Sequence, residues 1–154
     1  MTKFKKIFAS FLIGLMSTIF LIDLVLATTL SLNISAGEEV NHKIELKVDD
    51  QLTIQFNAIG EGNNQIFFSI IYPNATETKF GEVISFSKTL DCTIEGEYTL
   101  KFVNSDPNQS RLVTLNYNIE KYIFGMPKLF FLAFVIAVIC LIMIAACALM
   151  GKSL

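Results

Sequence analysis

The sequence predicts an all-β fold, an Ig-like antiparallel β-sandwich of seven to eight strands, followed by one C-terminal transmembrane helix. Three observations carry that expectation. Apolar and polar residues alternate with a period of two through the middle of the chain, as they do in half-buried strands. The turn-forming stretches GEGNN, YPNATETKFG and NSDPNQS interrupt this alternation at strand-like intervals. A block without a single charge, Leu129 to Met150, follows near the end of the 154 residues.

The first element is KFKKIFASFLIGLMSTIFLI, in which Lys3, Lys5 and Lys6 precede an apolar run from Ile7 to Ile22. Asp23 breaks the run, and Val25 and Ala27 supply the residues for a cut after Ala27. Residues 1–27 are therefore expected to be a cleaved signal peptide. An uncleaved anchor is the alternative. It would turn the chain into a two-span hairpin with its middle still on the non-cytosolic side, because the three lysines would hold the first span inside.

Residues 28–120 are expected to form the sandwich. TTLSLNIS reads as an edge strand. VNHKIELKV places Val40, His42, Ile44, Leu46 and Val48 on one face, and QLTIQFNAI places Leu52, Ile54, Phe56 and Ala58 inward. QIFFSIIY is apolar on both faces and reads as a central strand. EVISFSK, CTIEGEYTLKF and RLVTLNYNI supply the rest. In the second of these Tyr98, Leu100 and Phe102 point inward, Gly96 lets the chain bend into the strand, and the Tyr98 hydroxyl can reach back to a backbone group. No segment of the region reads as a soluble helix, and roughly 90 residues are enough to bury a core.

Residues 121–128 are a short stem with room for about two helical turns. Residues 129–150 are a transmembrane helix of about 33 Å, against a hydrocarbon core of about 30 Å. A helix apolar on every face over that length does not suit water. Residues 151–154, GKSL, form a cytoplasmic tail with a single Lys. A GPI signal fits less well, because IEKYIFGMPK lacks small residues at a plausible attachment site. The expected product is a single-pass type I membrane protein with its sandwich extracellular or lumenal. Ala133, Ala137, Cys140, Cys147 and Gly151 fall along one stripe of the helix, where small residues allow lateral association with another helix.

From residue 28 to 126, 13 acidic residues stand against seven Lys and Arg, a formal charge of about −6 without a basic patch. That balance excludes nucleic acid and anionic lipid as partners of the sandwich, and leaves the bilayer as a partner of the helix alone. Three sequons, NIS at Asn33, NAT at Asn74 and NQS at Asn108, mark glycosylation sites in an exported segment. Cys92 is the one cysteine outside the apolar blocks, so the sandwich has no internal disulfide. It is expected to be a buried thiol, with an interchain bridge as the alternative.

Catalysis needs a positioned nucleophile, base or metal, and the chain has one histidine. His42 shares its face with Val40 and Ile44, the setting of a satisfied core or edge histidine. Glu38 with Glu39 and Asp49 with Asp50 read as solvated loop charge, with weak calcium binding as the alternative. No enzyme activity, cofactor or metal is expected.

With these residues in place, the run DDQLTIQFNAIG, then IFFSIIYPN, then SFSKTLDCTIEGEYTLKFVNSDPNQSRLVTLNYNI resembles the GOLD (Golgi dynamics) domain, an Ig-like sandwich of membrane-trafficking proteins. The likeness covers roughly residues 36 to 120 and is most specific in EGEYTLKFVNS, where Gly-x-Tyr is followed by a Phe and Asn104. Signal, sandwich, one span and a short tail are similar in layout to the small cargo receptors of early secretory vesicles. The resemblance implies a protein that gathers lumenal cargo and couples it to coats. This chain departs from those receptors in three respects. Lys101 stands where they carry a disulfide cysteine, EKYIFGMP replaces their helical stem, and GKSL lacks their aromatic and basic sorting signals. The reading is a membrane-anchored, non-enzymatic module that binds other proteins, a trafficking or cargo adaptor by resemblance. An Ig-like adhesion or structural surface protein is the alternative.

Overall fold

The computed structural model describes residue 14 and residues 27–151, with side chains described as far as Ala145. The expected signal peptide, apart from residues 14 and 27, and the last three residues lie outside the described residues.

Eight strands build two antiparallel sheets: β1 (Thr28–Ile34), β2 (Glu39–Leu46), β3 (Gln51–Ile59), β4 (Ile66–Ile71), β5 (Glu77–Val83), β6 (Ser85–Asp91), β7 (Gly96–Val103) and β8 (Arg111–Glu120). One sheet has the order β1-β8-β3-β6 and the other β2-β7-β4-β5. The fold is the all-β sandwich that alternation predicts. β1 lies at an edge and β4 in the interior of its sheet, as their compositions require. The strand starting at EVISFSK is the exception. ETKFGEV forms a strand of its own, and Ile84 alone separates it from β6 in the opposite sheet. The chain crosses between sheets there with the Ile84 carbonyl accepting from the Ala58 N–H at 2.7 Å.

The core is what period-two burial produces when two sheets stack. Leu52, Ile54, Phe56 and Ala58 of β3 and Tyr98, Leu100 and Phe102 of β7 are all buried. Phe56 meets Phe68 and Phe102 edge-on at 4.8 and 5.1 Å, and Phe68 stacks on Phe80 at 5.5 Å. Such aromatic pairs add directional preference to area burial. Val48, expected inward, is 51 % exposed, because β2 ends at Leu46 and the chain turns at Lys47–Asp50.

Gly96 opens β7 with φ of 139°, and a Cβ there would stand 2.9 Å from Pro73 Cβ. Two residues on, the Tyr98 hydroxyl donates to the Ile94 carbonyl at 3.0 Å. This is the reach-back anticipated from Gly-x-Tyr.

The second compact unit contains the helix α1 (Lys128–Gly151), long and apolar enough to cross a membrane at about 36 Å. It begins one residue before the expected span. The stem does not continue as helix: Tyr122–Ile123 (β9) and Met126–Pro127 (β10) form a minimal hairpin, with Phe124 and Gly125 at positive φ in the turn.

Candidate functional site

The two outer faces of the sandwich have opposite chemistry. On the β2-β7-β4-β5 face charges pair with one another: Lys43 with Glu97 at 2.8 Å, Lys101 with Glu39 at 2.9 Å and Lys79 with Glu77 at 3.6 Å. Lys101 thus ties β7 to β2 by an ion pair. The hydrogen bond to Glu39 raises its pKa. Exposed pairs of this kind stabilise little and keep the surface solvated.

The other outer face is built from in-register rows of uncharged residues. Ser31, Thr114, Asn57 and Ser85 lie side by side across β1, β8, β3 and β6. Thr29, Asn116, Gln55 and Ser87 form the next row, then Asn118, Thr53 and Thr89. The charges on this face, Glu120 and Asp91, flank Gln51 in the last row. At the opposite end Asn33, Leu112 and Ile59 form a row in which Leu112 and Ile59 are 43 % and 58 % exposed. Thr29 Oγ1 donates to Asn116 Oδ1 at 2.6 Å, and the Thr53 and Thr89 hydroxyls are 3.1 Å apart. An open groove of about 380 Å³ runs over Phe56 and Phe86 between Gln55, Asn57, Ser85, Ser87 and Asn116. Its walls offer amide and hydroxyl donors and acceptors and no charge.

The loops at the end of the sandwich remote from Tyr122 are locked rather than free. Asn104 is fully buried, and its Nδ2 donates to the carbonyls of Ser35 and Gln109 at 3.0 and 2.7 Å. Its Oδ1 accepts from the Asp106 N–H at 3.1 Å. Arg111, only 1 % exposed, reaches from the start of β8 to Asp106 Oδ2 at 2.7 Å and to the Asn63 carbonyl. A side chain at Gly60 would meet Arg111 Cδ at 2.9 Å. GEGNN and NSDPNQS are therefore clamped together by one guanidinium. Backbone N–H groups of Asn108 and Gln109, with Arg111, hold the Asp106 carboxyl below its ordinary range. An arginine at an inward position of RLVTLNYNI was the sequence signal for this clamp.

Asn33, Asn74 and Asn108 are all exposed. They do not form one cluster. Asn33 and Asn108 lie toward the Arg111 end, whereas Asn74 lies in the turn between β4 and β5, where its Oδ1 accepts from the Thr76 N–H at 3.1 Å. Cys92 is 2 % exposed and unbridged, and burial together with the nearby Asp50 charge raises its thiol pKa to about 11. Burial of this degree argues against an interchain bridge through it.

His42 sits on the inner side of edge strand β2 against Tyr117, with ring centroids 5.3 Å apart. Burial lowers its pKa, and its Nε2 is enclosed without a hydrogen-bond partner, so the expected satisfied histidine is only half satisfied. Asp50 also differs from the expected solvated charge. It is 8 % exposed, and its Oδ2 accepts from the Lys47 N–H at 2.9 Å to close the β2–β3 turn. Among the described residues no group of three or more His, Cys, Asp or Glu converges as a metal site. Ala133 and Ala137 of the helix stripe are exposed and Cys140 is half-exposed, while the surroundings of Cys147 and Gly151 are not among those described.

No protein-family model matches this chain, and no curated protein does. Several solved structures are loosely similar to this chain, among them the two that follow. A periplasmic inhibitor of g-type lysozyme, PliG from Aeromonas hydrophila, is similar over 63 % of this chain and 89 % of its own, at 10 % identity and a TM-score of 0.49. A de novo designed double-stranded β-helix is similar over 62 % of this chain and 99 % of its own, at 15 % identity and a TM-score of 0.34. Neither overlap is close enough to carry a functional argument.

Proposed function

We propose that this chain is a membrane-anchored, non-enzymatic protein-binding module that meets its partners through the largely uncharged outer face of β1-β8-β3-β6. The observation that carries this reading is the contrast between the two faces. Charges are depleted from the cores of protein interfaces, because each must be desolvated when the partner arrives. Rows of Ser, Thr, Asn and Gln lose less on desolvation and exchange water for a partner's backbone and side-chain groups. The exposed Ile59 and Leu112 add apolar area at one end of the face.

A trafficking role rests on the resemblance of EGEYTLKFVNS and its flanks to the GOLD domain, and an exported, type I orientation rests on the lysine-led apolar N-terminus. α1 would keep the module at the membrane.

Proximity labelling from a tag fused after Ala27 in the native cell tests the reading. Vesicle-coat and cargo neighbours are expected, with labelling reduced by Asn57→Lys or Gln55→Lys, which place a charge in the groove without touching the core. Neighbours that are insensitive to both substitutions would remove the face from the proposal. Neighbours drawn only from the cell surface would replace trafficking with adhesion.

A further inference from the structure

We infer that the edge of β1 that is unpaired among the described residues pairs with β1 of a second copy of this chain, joining two sandwiches through one continuous eight-stranded sheet. The seam is the backbone edge of β1, which borders the outer face assigned above, and the inference goes beyond that reading.

An open strand edge presents unpaired N–H and C=O groups, and natural sheets protect such edges with charge, proline, bulges or inward-pointing lysine. Among the described residues, three of the four edges of the sandwich are protected. β6 points Lys88 inward from the Ile54 register position, with its ammonium 4.8 Å from the Phe80 ring centroid. β5 carries Glu77, Lys79 and Glu82 and pairs with β4 through a register shift at Phe68/Ser69. β2 carries Glu39, Lys43 and Glu45.

β1 has none of these devices. TTLSLNI contains no charge, proline or glycine, and its ladder with β8 runs unbroken from Thr28 to Ile34. Leu30 and Leu32 are only partly buried where they pack against the core.

The strand's own sequence selects a second copy over a foreign peptide. Folded about Ser31, TTLSLNI is nearly self-complementary in antiparallel register: Ser31 faces Ser31, Leu30 faces Leu32 and Thr29 faces Asn33. The two leucines of each strand would close over those of its mate on the inner side, and no like charges meet. A two-fold axis normal to the sheet keeps both outer faces on the same side, so two uncharged faces become one of double width. The Asn33 side chain points off that face and not into the seam. The Tyr122 ends are carried to opposite ends of the joined sheet.

Register-specific cross-linking of the full chain in detergent tests this, in a background where Cys140 and Cys147 are alanine. Under mild oxidation Ser31→Cys should give a covalent dimer. Thr29→Cys and Asn33→Cys should each give no covalent dimer alone and cross-link when mixed. Ser31→Lys should convert the native dimer to a folded monomer, read by sedimentation, whose thermal midpoint no longer depends on protein concentration; residue 31 is exposed, so the sandwich itself is not disturbed. Absence of the Ser31→Cys dimer, equal cross-linking at all three positions, or a dimer that survives Ser31→Lys would overturn the inference. The last result would place association in the helix instead. None of these outcomes bears on Asn57→Lys, so the outer-face reading stands or falls separately.

Discussion

Arg111 donates from Nη2 to Asp106 Oδ2 at 2.7 Å with its own side chain removed from water, so a buried cation and a partly exposed anion join two loops across one end of the sandwich. The same guanidinium reaches the Asn63 and Ser110 carbonyls. Replacing it with alanine leaves those acceptors and the aliphatic space around its stem unfilled. Arg111→Ala should lower stability by about 3 kcal/mol in denaturant titration, combining lost charged hydrogen bonds with lost packing. A loss too small to measure would mean that water replaces the clamp.

Acid should loosen the same loops. The Asp106 pKa is lowered from 3.8 by the N–H groups of Asn108 and Gln109 and by Arg111. A depressed carboxylate contributes stability above its unfolded pKa and loses it as pH falls through the folded value. His42 acts at higher pH. Burial depresses it from 6.5, so below that value the unfolded chain takes up a proton that the folded chain resists, and stability falls. Thermal midpoints should therefore decline in two stages, first below about pH 6.5 and again below about pH 4. His42→Gln should flatten the first stage, and Asp106→Asn should reduce the second, to which Glu38, Glu39 and Glu77, also lowered by hydrogen bonds, contribute.

The Tyr98 corner offers a separate test. Tyr98→Phe removes only the hydroxyl bonded to Ile94 and should cost about 1 kcal/mol. Gly96→Ala should cost more, about 2 kcal/mol, because it combines a strained φ with a Cβ pressed against Pro73. If the order of the two losses were reversed, the close approach of Pro73 would not be a constraint.

The Asn104 side chain makes four hydrogen bonds: Nδ2 donates to the carbonyls of Ile34, Ser35 and Gln109, and Oδ1 accepts from the Asp106 N–H. Asn104→Ala should destabilise by about 2–3 kcal/mol and speed amide exchange at Asp106, whose N–H would lose its acceptor. Exchange unchanged there would show that the loop is held by Arg111 alone.

Cys92 should resist alkylation in the folded protein. Its thiol is buried, with a pKa of about 11, so at pH 8 the thiolate is both scarce and covered. With Cys140 and Cys147 replaced by alanine, iodoacetamide should modify the chain only after denaturation. Ready labelling of native protein would mean that the β6–β7 loop opens.

Alternation, turn residues and an uninterrupted apolar block are local properties, which is why the sandwich, the edge position of β1, the interior position of β4 and the helix were all legible in the sequence. Period two tells which side of a strand a residue takes, and so it identified Leu52 through Ala58 and Tyr98 through Phe102 as core. It could not distinguish Val48, whose strand stops early at a turn closed by Asp50. Nor could it show that β5 and β6 part at Ile84 into different sheets, because that break follows from which partner each strand finds. The exposure of Asn33, Asn74 and Asn108 followed from alternation and turn chemistry, whereas their separation between the two ends depended on topology. The candidate face is wholly a product of pairing. Thr29 and Asn116 are 87 positions apart in sequence, and only the β1–β8 register makes them neighbours. Each contributing strand showed polar residues on one side, but strand order determined that the charged sides gather on one sheet and the uncharged sides on the other. Local chemistry thus specified which residues face water, while long-range pairing decided which of them stand together as a surface.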